Sequence, residues 1–304
     1  MKPLYITLFV VVLLIGSKVS AQDTTMVYYD KNWKEIKDEK VAVFYRKAFN
    51  DITGSWKVID YFIDGNIQMK GSYKSKKMKS KEGHFIYYYE NGNRASEGDY
   101  LSNKRQGEWK FFYENDSLKS IGVFIKGKKE GIWNYFHENG VLMSKGNFLN
   151  DKHDNIWTYW YDTGVQKSSG KYVADQSQGL WTYWHENESE KAKGSYIDDK
   201  KSGTWEYHYD NGELSSVEVF NSGKLASDKN YFMNGQPSSA GGYQNGKEVG
   251  EWKFWNADGM LILKGNYEKG KREGEWIHYF PEGEMKLFYK NGTLQGKPLG
   301  GIVR

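Results

Sequence analysis

A tripeptide of glycine, any residue and an aromatic returns along this chain at a fixed step, and self-similarity of that kind is the signature of a repeat architecture. It stands at Gly83-His84-Phe85, Gly107-Glu108-Trp109, Gly131-Ile132-Trp133, Gly179-Leu180-Trp181, Gly203-Thr204-Trp205, Gly250-Glu251-Trp252 and Gly274-Glu275-Trp276, with Asn155-Ile156-Trp157 in the same series. Successive starts differ by 24, except from 203 to 250, where a step of 47 hides one degenerate unit. Counted from its neighbours, that unit has Lys229 in the tryptophan place and lacks one residue. An irregular leading unit opens at Gly54-Ser55-Trp56.

Inside each unit the pattern has period two. From the tryptophan, positions 0, +2 and +4 read Trp109/Phe111/Tyr113, Trp133/Tyr135/His137 and Trp157/Tyr159/Tyr161, so one face of a strand carries three aromatics. A turn follows at Asn91-Gly92, Asn139-Gly140, Asn211-Gly212, Asn234-Gly235 and Asp258-Gly259, dipeptides that tolerate the positive φ of tight hairpins. A second strand then carries an apolar residue and a glycine (Leu118 and Gly122, Leu142 and Gly146, Leu261 and Gly265), and a basic turn such as Lys126-Gly127-Lys128-Lys129 leads on. The recurring glycine, also at Gly98, Gly170 and Gly194, leaves room for a neighbouring ring to lie across the backbone. One such hairpin cannot bury its own aromatic face, so each needs its neighbours. The expected fold is all-β, an elongated antiparallel sheet or solenoid of tandem 24-residue β-hairpins, with two strands, about 10 Å, per unit. Abundant glycine (34), scarce proline (4) and 17% aromatics agree with that class. Glu218 in place of glycine, and Asn155 likewise, predict irregularity, with a bend between about 215 and 245.

The first residues predict export. Lys2 precedes the uncharged apolar run Leu4–Ile15, too short to span a bilayer of roughly 30 Å, and Val19-Ser20-Ala21 supplies a cleavage site after Ala21. The chain is thus divided into a signal peptide over 1–21, an N-terminal β cap over 22–53, a repeat array over 54–297 and a tail over 298–304. The array comprises an irregular first unit over 54–82 and then about nine units. A periplasmic or secreted location follows, although there is no cysteine to form disulfides, so packing alone must hold the fold. The formal charge of +4 falls to +2 on cleavage, which argues against nucleic-acid partners. No later stretch is apolar enough to span a membrane.

The run His137-Glu138-Asn139-Gly140-Val141-Leu142-Met143-Ser144-Lys145-Gly146-Asn147-Phe148 resembles the MORN repeat, and more closely its bacterial variant in the YwqK-type antitoxin-like family. The similarity covers residues 54 to 297. It implies an elongated sheet of hairpins used as a scaffold for protein–protein or membrane-proximal contacts, with no catalytic residues to carry over.

The sequence offers no catalytic set, metal site or cofactor motif. His137 and His185 take the strand place of Tyr113, Tyr161 and Tyr209 and read as members of one aromatic ladder. The candidate binding platform is the +3 row, Tyr88, Phe112, Phe136, Trp160, Trp184, His208, Phe232, Trp255 and Tyr279, which alternation puts on the face opposite the tryptophans. A continuous aromatic stripe there suits a protein partner in the cell envelope. The glycine/tryptophan rhythm also resembles glucan- and choline-binding wall repeats, which implies glycan or peptidoglycan binding as the alternative.

Overall fold

The computed structural model describes residues 24–51 and 54–299. The expected signal peptide and its cleavage site lie outside the described residues. Within them the chain forms one open sheet of 24 antiparallel strands, and its one helical element is the 3₁₀ turn Glu39–Val41. From Phe44–Asn50 onward each strand pairs with the next in sequence, ending with Thr293–Leu299. At about 4.8 Å per strand this meander runs on the order of 110 Å. At the N-terminal end, Thr25–Tyr29 pairs with Phe44–Asn50 and hands the free edge to Glu35–Ile36, two residues long. A short edge strand offers little for another sheet to extend. A buried pair, Arg46 to Asp60 at 2.6 and 2.8 Å, ties the strand Phe44–Asn50 to Trp56–Phe62.

The 24-residue signature works through a local break in the ladder. Gly98 pairs with Trp109 and Asp99 with Gln106, so Gly107 and Glu108 form a two-residue bulge. Gly107 takes φ 73°, and the equivalent glycines lie at 65–79°. The bulge frees the Asp99 carbonyl, and the Trp109 indole N–H donates to it at 3.0 Å. The same bond recurs from Trp133, Trp157, Trp181, Trp205, Trp252 and Trp276 at 3.0–3.3 Å. The ring then lies flat over the glycine opposite. A Cβ on Gly146 would sit 2.1 Å from the Trp157 ring, and one on Gly170 2.0 Å from Trp181. Gly71 under Phe85 and Gly241 under Trp252 belong to the same set and extend the glycine row read from the sequence. Asn155 adopts φ 62° and keeps its unit regular, since asparagine tolerates the left-handed region better than most residues.

A sheet with no second layer still has a core. Trp109 and Trp133 are 0% exposed and Trp157 1%. Edge-to-face ring contacts run from Tyr73 through Phe85, Tyr100, Trp109, Phe124, Trp133, Phe148, Trp157, Tyr172, Trp181 and Tyr196 to Trp205 at 4.9–6.5 Å. Such pairs add about 0.5–1.5 kcal/mol each beyond area burial. The chain of rings breaks after Tyr207 and resumes at Tyr243 and Trp252.

The break corrects the sequence frame. Glu218 pairs with Asp228, not Lys229, so Asp228 holds the tryptophan place. Ala226 alone makes the bulge there, one residue where other units have two. The deletion therefore lies in the bulge itself, since Lys224 and Leu225 still pair as Lys200 and Lys201 do, and the frame beyond it shifts by one. With no indole to satisfy a freed carbonyl, the short bulge is the consistent geometry, and with no ring above, Glu218 need not be glycine. Strand pairing continues through this unit; its packing is what changes.

Gly146→Ala and Trp157→Ala test this construction. Truncating the ring should cost about 3–5 kcal/mol, and the added methyl should destabilise by a comparable amount because it meets a ring held on all sides. In a nearest-neighbour array the loss stays in adjoining units. Thermal unfolding with unit-resolved hydrogen exchange reads both effects, and wild-type stability in either variant contradicts the ring-on-glycine packing.

Candidate functional site

The sheet presents two faces of different chemistry. Glu108, Lys110 and Phe112 alternate with Trp109 and Phe111, so the +3 row stands on the face away from the tryptophans. Phe112 is 5% exposed because the Arg94 guanidinium lies 4.3 Å from its ring centroid. A partner would meet Arg94 there. Phe136, Trp160, Trp184, His208 and Trp255 are half-buried in successive units. Phe232 does not join them: the shifted frame gives the place to Tyr231, which pairs with Pro237 as Phe112 pairs with Leu118.

The same face carries aliphatic side chains that the sequence reading passed over. Ile132, Ile156 and Leu180, each just before a tryptophan, are 51%, 54% and 56% exposed. Leu101, Ile125, Leu149, Val173 and Ile197, each closing a second strand, form another exposed row. Their signal was in the sequence, as apolar residues recurring every 24 positions out of phase with the aromatic face. With Phe136, Trp160 and Trp184 they make an apolar surface several units long.

On the tryptophan face the basic residues of the turn-to-strand junction act as ring covers. Arg105 stands 4.7 Å from the Trp109 centroid, Lys129 4.4 Å from Trp133, Lys201 4.7 Å from Trp205 and Arg272 4.3 Å from Trp276. The lysine ammonium also donates to the next phenol, Lys81 to Tyr87 and Lys129 to Tyr135 at 2.7 Å. The charged group lies over the ring while its N–H groups reach water or a phenol. His153 replaces the cation over Trp157 at 4.3 Å. In the unit of Ser177 the Tyr183 and Tyr196 hydroxyls lie 3.3 Å apart, as the Tyr87 and Tyr100 hydroxyls do at 3.4 Å in the unit of Lys81.

The +4 ladder has a stated job. The Tyr113 hydroxyl donates to the Phe136 carbonyl at 2.8 Å, Tyr161 to that of Trp184 at 2.9 Å and Tyr209 to that of Tyr231 at 2.8 Å. His137 and His185 reach the Trp160 and His208 carbonyls through Nε2 at 3.2 and 3.0 Å, so each ring carries its proton on Nε2. Tyrosine and histidine alternate here because both are donors of similar reach. The turn asparagines link successive hairpins in the same way, Asn91 to the Glu114 carbonyl and Asn139 to that of Asp162, both at 2.9 Å. Among the described residues no group of three or more His, Asp or Glu is placed to hold a metal ion. No helix among them is long and apolar enough to cross a membrane.

Comparison with known proteins picks out the same units. Five segments match the MORN repeat variant, over residues 81–101, 105–126, 129–150, 248–269 and 281–297. The hairpins between 151 and 247 lie outside these matches. Those at Trp157, Trp181 and Trp205 still set their rings on Gly146, Gly170 and Gly194 in the same manner. No curated protein sequence matches the chain. Among solved structures, TcdB2-TccC3 without its hypervariable C-terminal region aligns with 87% of this chain at 10% identity and a TM-score of 0.20. TcdB2-TccC3-Cdc42 aligns over the same share at 10% identity and a TM-score of 0.17. The chain spans 16% of the length of either. Likeness at these scores carries no functional argument.

The phenols of the tryptophan face give a pH prediction. Burial pushes Tyr135 up to about 12 from the ordinary 10, and burial together with Asp228 does the same at Tyr243. Tyr87, Tyr159, Tyr183 and Tyr207 are raised as well, chiefly by burial. The folded chain keeps these protons to higher pH than the unfolded chain does. Their contribution to stability is complete below pH 10, falls as the pH rises toward 12 and is lost above it. Tyrosinate absorbance should show a late-titrating group that ionises together with unfolding; ionisation of every tyrosine near pH 10 in the folded protein contradicts the burial.

Proposed function

We propose that this chain is a non-catalytic repeat scaffold that holds a partner protein along the face opposite the tryptophans, and that it does so in the cell envelope. The scaffold part of the reading draws on the MORN-type repeats. The apolar rows support the choice of face: Ile132, Ile156 and Leu180 expose more than half of their surface beside Phe136, Trp160 and Trp184. A contiguous apolar area of this kind on an otherwise charged chain marks an interaction surface. Interior strands spend their backbone groups in the ladder, so the partner is gripped by side chains, and its own surface must be apolar and elongated. The envelope location rests on the signal-peptide pattern of residues 1–21.

Replacing Trp160 and Trp184 with serine, together with Ile156→Ser, removes the centre of this surface without touching a ring on glycine. The triple variant should lose capture of the partner from envelope extract and keep its melting temperature within about 4 °C. Capture unchanged from wild type removes the platform. Capture lost together with cooperative folding means that these side chains belong to the core.

A further inference from the structure

The tryptophan face, left unoccupied by that reading, is segregated by charge. From the unit of Phe85 to that of Trp205 the ring-covering place holds Lys81, Arg105, Lys129, His153 and Lys201, with Ser177 the exception. The extra residue of the second-strand bulge adds Lys119, Lys167 and Lys191 to the same face, and Lys119 and Lys167 each lie 5.2 Å from a tyrosine centroid. Between Tyr207 and Trp252 the sign reverses, before Arg272 restores a cation over Trp276. Glu218 takes the glycine place, Asp228 the tryptophan place and Glu248 the ring-covering place beside Trp252.

The basic part is a trough that widens into clefts. One of about 320 Å³ lies between Trp133 and the Phe111 ring, with Arg105, Lys119 and Lys129 on its walls. Another of about 280 Å³ is walled by Lys167, Lys191 and Lys201 and by the Tyr161, Tyr183 and Tyr207 rings. Between them a wider cleft of about 580 Å³ opens at Met143, His153 and Tyr159. Among the described residues none of Lys167, Lys191 and Lys201 forms an ion pair with a carboxylate. Lys81 and Lys129 are held below the ordinary lysine value by burial, so an anion alongside would recover part of the lost solvation.

We infer that the trough between Tyr89 and Tyr207 binds an extended acidic polysaccharide, a chain of sugars bearing carboxylates. Three features select this class. The ammonium and guanidinium groups complement carboxylates, while the rings and phenols beside them offer flat faces to sugar C–H surfaces and polar partners to sugar hydroxyls. The clefts fall in register with the repeat, about 10 Å and then about 20 Å apart, which suits a periodic polymer held at several weak points. An acidic peptide would lack its usual means of binding a sheet, because the trough has no free strand edge for backbone pairing. The acidic unit from Glu218 to Glu248 ends the track by repulsion. The site lies on the face away from the protein platform and stands independently of it.

The test is calorimetric titration of the full chain with an oligogalacturonate of about ten sugars, at low and near-physiological salt. Binding should be measurable at low salt and weaken as salt screens the lysines. Lys167→Glu combined with Lys191→Glu, both exposed positions, should weaken it at least about tenfold with the melting curve unchanged. The Ile132→Ser/Ile156→Ser variant, altered on the opposite face, should bind as wild type does. The inference is overturned if the oligogalacturonate does not bind, if the lysine variant binds it equally well, or if a neutral glucan oligomer binds as tightly. Equal affinity for poly-glutamate, or binding to phosphatidylglycerol vesicles in place of the sugar, also overturns it by moving the site to another class of ligand.

Discussion

An indole laid across a glycine of the neighbouring strand, its N–H bonded to a carbonyl that a two-residue bulge has freed, is the contact on which the remaining structure rests. The parts fit one another. The bulge needs a residue at home with positive φ, hence Gly107 and its equivalents, with Asn155 as the tolerated substitute. The freed carbonyl would be a buried unpaired acceptor without the indole. The ring could not descend to the backbone if the residue beneath it carried a Cβ. Where glycine and tryptophan are both replaced the long bulge goes too, as Glu218, Asp228 and the one-residue bulge at Ala226 show within a single unit, whereas Phe85, with a ring but no N–H, still lies on Gly71.

This contact also explains how one sheet layer can hold a core. Tryptophans seated on the backbone stand low enough to be roofed by the Phe/Tyr rows and by lysine and arginine side chains, so the layer that normally covers a sheet is supplied by the sheet itself. Such a core grows by addition and has no centre. It leaves both faces open to partners, one apolar and one a cation-lined trough, which a two-layer domain of the same length would have spent on its own packing.

Much of this was legible in the sequence because the repeat multiplies every signal. The 24-residue step, the Asn-Gly turns and the glycine beneath the ring each recur often enough to fix strand, turn and face. Three things were not. Lys129 reads as part of a basic turn, yet its ammonium lies over Trp133, because the strand already begins at Lys128 and turns a loop charge into a ring cover. Lys229 occupies the tryptophan place by counting, but a deletion's position inside a unit is set by pairing, which counting does not see. The +3 aromatics drew the eye from Ile132, Ile156 and Leu180, which are more exposed than those rings and stand on the same face. Alternation places a side chain on a face; how far neighbours then cover it depends on packing.

If rings on glycine carry the stability of the array, protection against hydrogen exchange must follow them unit by unit. Native-state exchange resolved to single hairpins measures this directly. The account predicts high protection through the strands from Lys104 to His208, a pronounced minimum over Leu214–Gln244 where Glu218 and Asp228 replace glycine and tryptophan, and recovery from Lys247 onward. Protection over Leu214–Gln244 equal to that of the flanking hairpins would contradict it, since backbone pairing alone would then be holding the sheet.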